Sequence, residues 1–316
     1  MRVIVTGGAG FIGSHLVDQL MRNTELERLL IIDDLRLGKH DNISNIAPSR
    51  SEVQIDFCEM SAKIAFTGQL GTIHAFDPDV IYNLAVDPLP KSFNKPMEVW
   101  NNNVESTWAI AHYCMNTNTR MVHFSSSEVY GTKPVGLLSE TDLMLPTTPY
   151  AASKAACDNM LLSLHETYNL DVVTVRPFNT IGPRQNQGSY AGIIPLTINR
   201  INKGKAPVIY GTGKQTRDIS YVTDVTSAAT TVAALGASGE CYNVCSGIET
   251  SIEWLINEIC YHMGYEGQVE YRHKRCADVM RHQGDNTKIK TLGWQPSVAI
   301  RKSVARTVEW YKCGSK

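Results

Sequence analysis

The chain opens with a short β-branched run, Val3-Ile4-Val5, that stops at Thr6-Gly7-Gly8. From Phe11 to Met21 the apolar positions take helical spacing, with Ile12, Leu16, Val17 and Leu20 on one side. Leu29-Leu30-Ile31-Ile32 predicts a second buried strand, closed by Asp33-Asp34. Val53-Gln54-Ile55, Val80-Ile81-Tyr82, the stretch 120–124 and the stretch 172–175 predict four more, and 100–115 and 150–168 read as helices. Apolar strands separated by helix-length segments imply an α/β fold, a doubly wound parallel sheet with helices on both faces. After Arg176-Pro177 the texture becomes loop-rich, with short segments between Gly and Pro. The expected layout is a first domain over residues 1–176 and a smaller α/β C-terminal domain over 177–316. The chain is expected to return to the first domain around 215–240, with Tyr221 to Leu235 as a strand-turn-helix that rejoins the sheet.

Composition narrows the classes. Hydrophobic residues make up 43% of the 316 and charged residues 19%, an ordinary globular balance. A formal net charge of -1 lacks the basic surplus that nucleic acid or an anionic membrane surface calls for. The apolar runs are far shorter than the ~20 residues of a membrane span. Met1-Arg2 leads straight into the first strand with no apolar signal region, so a secreted protein is not expected. The eight cysteines (58, 114, 157, 241, 245, 260, 276, 313) form no CxxC pair and no zinc spacing with His, so no metal site is expected. They read as free thiols in a reducing cytoplasm.

Gly7, Gly10 and Gly13 follow a strand and open a helix. In that context they form a dinucleotide loop: the first for a tight turn, the second for close approach of a pyrophosphate, the third for helix–strand packing. The helix start at Phe11 and Ile12 then offers amide donors and the positive end of the helix dipole. Asp33, 20 residues beyond Gly13, stands where a carboxylate receives the adenosine ribose, and Asp34 beside it would repel a 2′-phosphate. NAD is therefore expected over NADP, with Arg36 as the contrary feature. Asp56-Phe57 is expected at the adenine edge, and Leu84, Ala85 and Val86 along the cofactor.

Tyr150 and Lys154 stand four apart on one helix face, and Ser126 ends a strand 24 residues upstream. A phenol titrates near ~10, so it needs a neighbouring cation to act as a base at neutral pH. Lys154 and a positive nicotinamide ring would supply one. Tyr, Lys and Ser together can take a proton from an alcohol while hydride leaves to NAD.

These motifs resemble the extended short-chain dehydrogenase/reductases, in particular the NAD-dependent nucleotide-sugar epimerase/dehydratase group. The resemblance covers nearly the whole chain. It rests on Thr6 to Gly13, Ser125 to Gly131, Pro149 to Ala155, Arg176-Pro177-Phe178-Asn179, Gly182 to Gln185, Gly213 to Asp224 and Leu292-Gly293-Trp294. It implies a Rossmann domain holding NAD, a C-terminal domain for a nucleoside-diphosphate sugar, a UDP-sugar in the first instance, and a homodimer through two helices of the Rossmann domain. By matching position it places Asn103 and Asn179 beside the cofactor and sugar nucleotide, and Arg217 and Arg281 on the diphosphate. Ile194 is implied beside the base. Arg184, in Gly-Pro-Arg-Gln, is a motif shared by several subgroups. Lys91 and Ser92, in a segment matching no one subgroup, are expected to point into the sugar pocket.

The group shares oxidation of the sugar at C4. A 4-ketone acidifies the C5 proton, and a carboxylate can then remove it and eliminate the C6 hydroxyl. Glu128, two residues after Ser126, points to a dehydratase with Glu128 as that base. The Ser126-Ser127-Glu128 triplet departs from the Thr-Asp-Glu of dTDP-glucose 4,6-dehydratases, because Ser127 is a poor acid, so Glu128 would act as both base and acid. A 4-epimerase and a UDP-glucuronate-type decarboxylase are the alternatives. Asn286 stands where one class of decarboxylase has Arg. A non-catalytic dinucleotide sensor would be expected to lack Tyr150 or Lys154. A dehydrogenase that releases NADH would not need the diphosphate arginines.

Overall fold

Along the first strand, β1 (Arg2–Thr6), Val3 and Val5 belong to one buried cluster and Ile4 to another. Successive side chains of a strand point to opposite faces, so a continuous apolar run is what a sheet covered on both sides demands. The same split recurs in β2 (Arg28–Asp33), where Leu29 and Ile31 face one way and Leu30 and Ile32 the other. β3 (Gln54–Glu59), β4 (Val80–Asn83), β5 (Arg120–Phe124) and β6 (Val172–Pro177) follow. The computed structural model describes residues 1–44, 53–68, 70–188, 191–274 and 279–313. Cys276 lies outside them, and the other seven cysteines are free thiols.

Three short strands come next: β7 (Asn179–Ile181), β8 (Val208–Tyr210) and β9 (Thr216–Tyr221). β10 (Cys241–Val244), β11 (Glu249–Ser251) and β12 (Glu270–Arg272) complete the set. The main sheet is parallel throughout and seven-stranded, in the order β10-β6-β5-β4-β1-β2-β3. Sequence order reverses between β1 and β4, which opens a crevice at their carboxyl ends. The helices Phe11–Leu20 and Val222–Leu235 cover one face through Leu16, Val17, Val225 and Val232. Ala62–Gly68, Pro96–Thr117 and Pro149–Tyr168 cover the other.

The return of the chain differs in detail from expectation. The helix Val222–Leu235 lies on the main sheet, but the strand before it does not join that sheet. β9 pairs instead with β11 and β7 in a separate three-stranded sheet. The seventh main-sheet strand is β10, just past the 215–240 stretch. A short strand with Cys and Asn in it carries too little apolar periodicity to be read locally. Around the small sheet, Ile194, Ile198, Ile219, Leu255, Val304 and Val308 form a second core. Among the described residues no helix is long and apolar enough to cross a membrane.

Local signals set the geometry of the helix Pro149–Tyr168. Thr148 caps Pro149–Tyr168 by accepting from the Ala151 amide at 3.1 Å, and Pro149 occupies the first turn, where its missing N–H costs nothing. Asn169 in the left-handed region ends it. The glycine loop is tighter still. Gly7 has φ +70°, and a Cβ there would sit 2.8 Å from the Leu84 carbonyl carbon. A Cβ on Gly13 would overlap the Gly7 carbonyl oxygen, a backbone atom with no room to yield. Gly13→Ala is therefore expected to destabilise the fold by ~1–3 kcal/mol, as overpacked sites do, and to weaken NAD binding with it. Denaturant unfolding checks this, and an unchanged midpoint would show that the loop accommodates a methyl group.

Candidate active site

Two cavities lie over the carboxyl ends of the sheet strands. The first, about 460 Å³, is lined by Gly7, Gly10, Phe11, Ile12 and Gly13 from the glycine loop and by Leu84, Ala85 and Val86 after β4. Asp33 and Asp34 close one end. Asp33 is the last residue of β2, buried, with its carboxylate accepting from the amides of Ala9 and Leu35, both at 2.9 Å. Burial pushes its pKa up, and the same amides pull it down. It thus ties the glycine loop to the β2 turn while lining the cleft. Asp34 is paired with Arg36, whose Nε donates at 2.7 Å, and Arg36 also reaches Asn102. A left-handed glycine, a helix start and a buried carboxylate in one crevice fit a dinucleotide. Asp33→Ala is expected to lower NAD affinity ~10–100-fold, the cost of about one or two hydrogen bonds to a charged group, and to narrow the preference for NAD over NADP. Equilibrium titration with both cofactors measures this, and equal or tighter NADP binding by the native protein would show that Arg36 sets the preference.

Several expected cofactor residues lie elsewhere. Asp56 and Phe57 do not line the cleft, because β3 runs on to Glu59 and the loop reaching the cleft begins at Met60. Asp56 accepts from Gln54, and Phe57 packs edge-on against His40. Asn103 is buried behind the cleft, where its Oδ1 accepts from the Asp87 amide at 2.8 Å and its Nδ2 donates to Ser153 Oγ at 3.0 Å. Asn102 and Ser106, one turn apart on the neighbouring face of the same helix, line the cleft instead. Arg184 sits at φ +64° on the cofactor side and pairs with Asp18 at 2.8 Å.

At the far end of the cleft the side chains expected to react converge. Ser126, Ser127, Glu128, Tyr150 and Lys154 all line it. Ser126 caps a single 3₁₀ turn, Ser127–Tyr130, and its Oγ accepts from the Glu128 amide at 3.2 Å. The Ser126 hydroxyl also favours the ionised form of the Tyr150 phenol. Burial outweighs this and, with the charge of Glu128, holds the phenol well above its ordinary value. Lys154 Nζ donates to the Phe124 carbonyl at 2.7 Å, and burial lowers its own pKa.

The second cavity, about 830 Å³, shares Leu89, Glu128, Asn179, Thr180, Gln185 and Gly192 with the first. Ile194 and Arg217 line it as expected. Arg217 Nη1 donates to the carbonyls of Thr216 (2.9 Å) and Val279 (2.5 Å). The sequence reading missed Arg200, Tyr210 and Gln215 there. A signal was present: Gln215, Arg217 and Ile219 alternate along one strand face, as do Val208 and Tyr210.

A family model described as GDP-mannose 4,6 dehydratase matches residues 4–307. The chain belongs to the NAD-dependent nucleotide-sugar epimerase/dehydratase family of extended short-chain dehydrogenases/reductases. It is 34% identical over 316 residues to UDP-glucose 4-epimerase of Mycolicibacterium smegmatis, with 99% of each chain covered. Among solved structures, UDP-N-acetylglucosamine 4-epimerase from Methanobrevibacter ruminantium M1 superposes with a TM-score of 0.89 at 34% identity, over 99% of this chain and 98% of that one. The dTDP-glucose 4,6-dehydratase DesIV from Streptomyces venezuelae, solved with NAD bound, gives 0.91 at 29%, over 99% and 98%. The epimerase/dehydratase group thus embraces both reactions at similar distance from this chain.

Three further expectations differ in the structure. Arg281 lines neither cavity; its guanidinium donates to the Lys133 and Gly136 carbonyls, to Gln283 and to Glu249. Lys91 is buried and its Nζ is held by Asp87 at 2.9 Å and Glu98 at 2.5 Å. A buried ammonium requires such partners, so it turns away from the sugar pocket. Ser92 Oγ donates to the Leu89 carbonyl. From that segment Leu89, Pro90 and Phe93 line the second cavity instead.

Proposed function

We propose that the protein is an NAD-dependent dehydratase of a nucleoside-diphosphate sugar, with the sugar held where the two cavities share a wall. The observation that carries this reading is the position of Glu128, a carboxylate that lines both cavities two residues from Ser126. NAD in the first cavity supplies the hydride acceptor and a positive ring that favours phenolate. Tyr150 takes the proton of the C4 hydroxyl, Ser126 shares that proton, and Lys154 stabilises the resulting phenolate. Glu128 removes the C5 proton, now acidified by the ketone, and delivers a proton to the departing C6 hydroxyl; return of the C4-derived hydride to C6 and of a solvent-exchangeable proton to C5 would then restore the cofactor and leave a net loss of one water. Asn179, in both cavities, and Arg217, in the second, hold the sugar and the diphosphate, the latter by a guanidinium fork suited to phosphate. Ile194 packs beside the base. A UDP-sugar is favoured because the two relatives at 34% identity carry UDP-sugar names.

The second reading is 4-epimerisation, which those same two relatives favour. Decarboxylation finds less support. Asn286, at the position where one decarboxylase class has Arg, is buried and donates to the Cys245 carbonyl at 2.9 Å. The exposed Trp100, Trp108 and Leu162, on the Rossmann-domain helices Pro96–Thr117 and Pro149–Tyr168, support a homodimer. Free thiols support a cytoplasmic location.

Incubation with a panel of UDP-, GDP- and dTDP-sugars, followed by mass spectrometry, tests the proposal. Loss of water from one of them is the expected result. Unchanged mass with altered proton couplings would assign epimerisation, and loss of carbon dioxide would assign decarboxylation.

A further inference from the structure

One fully buried histidine stands directly behind the catalytic turn. His282 Nε2 lies 3.0 Å from the Ser127 carbonyl oxygen. A carbonyl only accepts, so Nε2 carries the hydrogen and donates. Nδ1 then holds a lone pair, and among the described residues it has no hydrogen-bond partner. The ring packs at 5.0 Å against Phe178, which lines the cofactor cleft. Burial and the nearby Arg217 hold the imidazole neutral, with a pKa lowered to about 4. A neutral ring with one hydrogen bond is a fixed strut rather than a proton carrier at neutral pH.

The backbone on either side of His282 is pinned. Met280 O accepts from the Thr216 amide at 3.0 Å, and Met280 N donates to Thr132 Oγ1 at 3.3 Å. Gly284 N donates to the buried Asp218 carboxylate at 3.2 Å. Gln283 O and Asp285 N both pair with Leu138, at 2.8 Å each. The same segment supplies the Val279 carbonyl that receives Arg217. One rigid stretch of chain therefore touches an arginine of the second cavity at one end and the catalytic turn at the other.

We propose that His282 is a positioning residue that holds the Ser126–Glu128 turn in register with Tyr150 through the Ser127 carbonyl. The inference rests on the proposed function insofar as that turn carries the proton-transfer groups. It applies to the shared C4 oxidation, and so to dehydration and epimerisation alike. His282 donates one hydrogen bond and touches neither sugar nor cofactor. Its loss lets the turn shift by a fraction of an ångström, which slows proton and hydride transfer without removing a binding contact.

The test compares wild type with His282→Phe, which keeps an aromatic ring against Phe178 but has no donor, and His282→Gln, whose amide nitrogen can occupy the place of Nε2. Steady-state kinetics use the accepted nucleotide sugar with hydrogen or deuterium at C4, and thermal unfolding and bound NAD are recorded for each protein. His282→Phe is expected to lower kcat about 10–100-fold with KM nearly unchanged, and to raise the deuterium isotope effect on kcat. His282→Gln is expected to recover most of kcat and the wild-type isotope effect. If His282→Phe does not fold, His282→Asn, whose shorter amide cannot reach Ser127, takes its place against Gln. Wild-type kcat and isotope effect in the donor-less variant would overturn the proposal. So would equal impairment of the Gln variant at unchanged unfolding temperature. A wild type that converts no nucleotide sugar removes the proposed function and this inference together, whereas an active wild type with indifferent variants removes the inference alone.

Discussion

Tyr150→Phe is expected to lower turnover of any accepted nucleotide sugar by ~10²–10⁴-fold, the usual contribution of a positioned acid–base group. The substitution removes one oxygen and keeps the buried ring. The helix Pro149–Tyr168 retains its Thr148 cap, and Lys154 retains the Phe124 carbonyl. Unfolding temperature and NAD affinity should therefore stay close to wild type while the chemistry stops. The groups around the phenol have other tasks: Ser126 Oγ accepts from the Glu128 amide, Lys154 as an ammonium has no lone pair to take a proton, and Glu128 serves C5. Because burial holds the phenol protonated in the protein alone, its ionisation has to be coupled to arrival of the substrate hydroxyl and the positive cofactor ring. Product analysis after long incubation is the check. A Tyr150→Phe enzyme with near-native turnover would remove every reaction that starts from C4 oxidation.

The second large effect separates the steps. Glu128→Gln keeps the size of the side chain and the amide that caps onto Ser126 Oγ, but it removes the base. C4 oxidation by the Tyr150–Lys154 pair should proceed, and the next step should stall. The variant is expected to accumulate reduced nicotinamide and a 4-keto sugar, visible by absorbance and by trapping the ketone, with overall product formation down by ~10²–10⁴-fold. An epimerase would not show this, since its second step is return of hydride to the other face of the sugar. Glu128→Gln with full product formation and no reduced cofactor would assign Glu128 a structural role.

The parts of this site that were readable are those fixed by local rules. β1 and β2 are continuous apolar runs and β5 is interrupted only by His123; their ends are marked by Gly, Asp or Ser, and a parallel sheet gathers such ends along one edge. Gly7 to Gly13, Asp33, Ser126 and Glu128 therefore came together from strand endings alone, and Tyr150 and Lys154 from helical spacing. What failed depended on contacts between distant segments. Asp56 and Phe57 were placed at a strand end that lies three residues further on, at Glu59. Lys91 is held by Asp87, one turn back, and by Glu98, which is reached only when the short helix packs on the long one. Arg281 is placed on the diphosphate by its position in the family pattern, yet its donors are spent on carbonyls of the 133–136 loop, on Glu249 and on Gln283. β10 carries almost no pattern of its own and is a strand because β6 offers it an edge.

Deuterium at C5 decides the central claim most directly. Wild type and Glu128→Gln are incubated with the accepted nucleotide sugar in deuterium oxide, and C5 is examined by NMR. If Glu128 is the base of a dehydratase, the wild-type product carries deuterium at C5 and sugar recovered from Glu128→Gln does not. Full product formation with no C5 exchange in either protein would contradict the dehydratase assignment and make the enzyme a 4-epimerase.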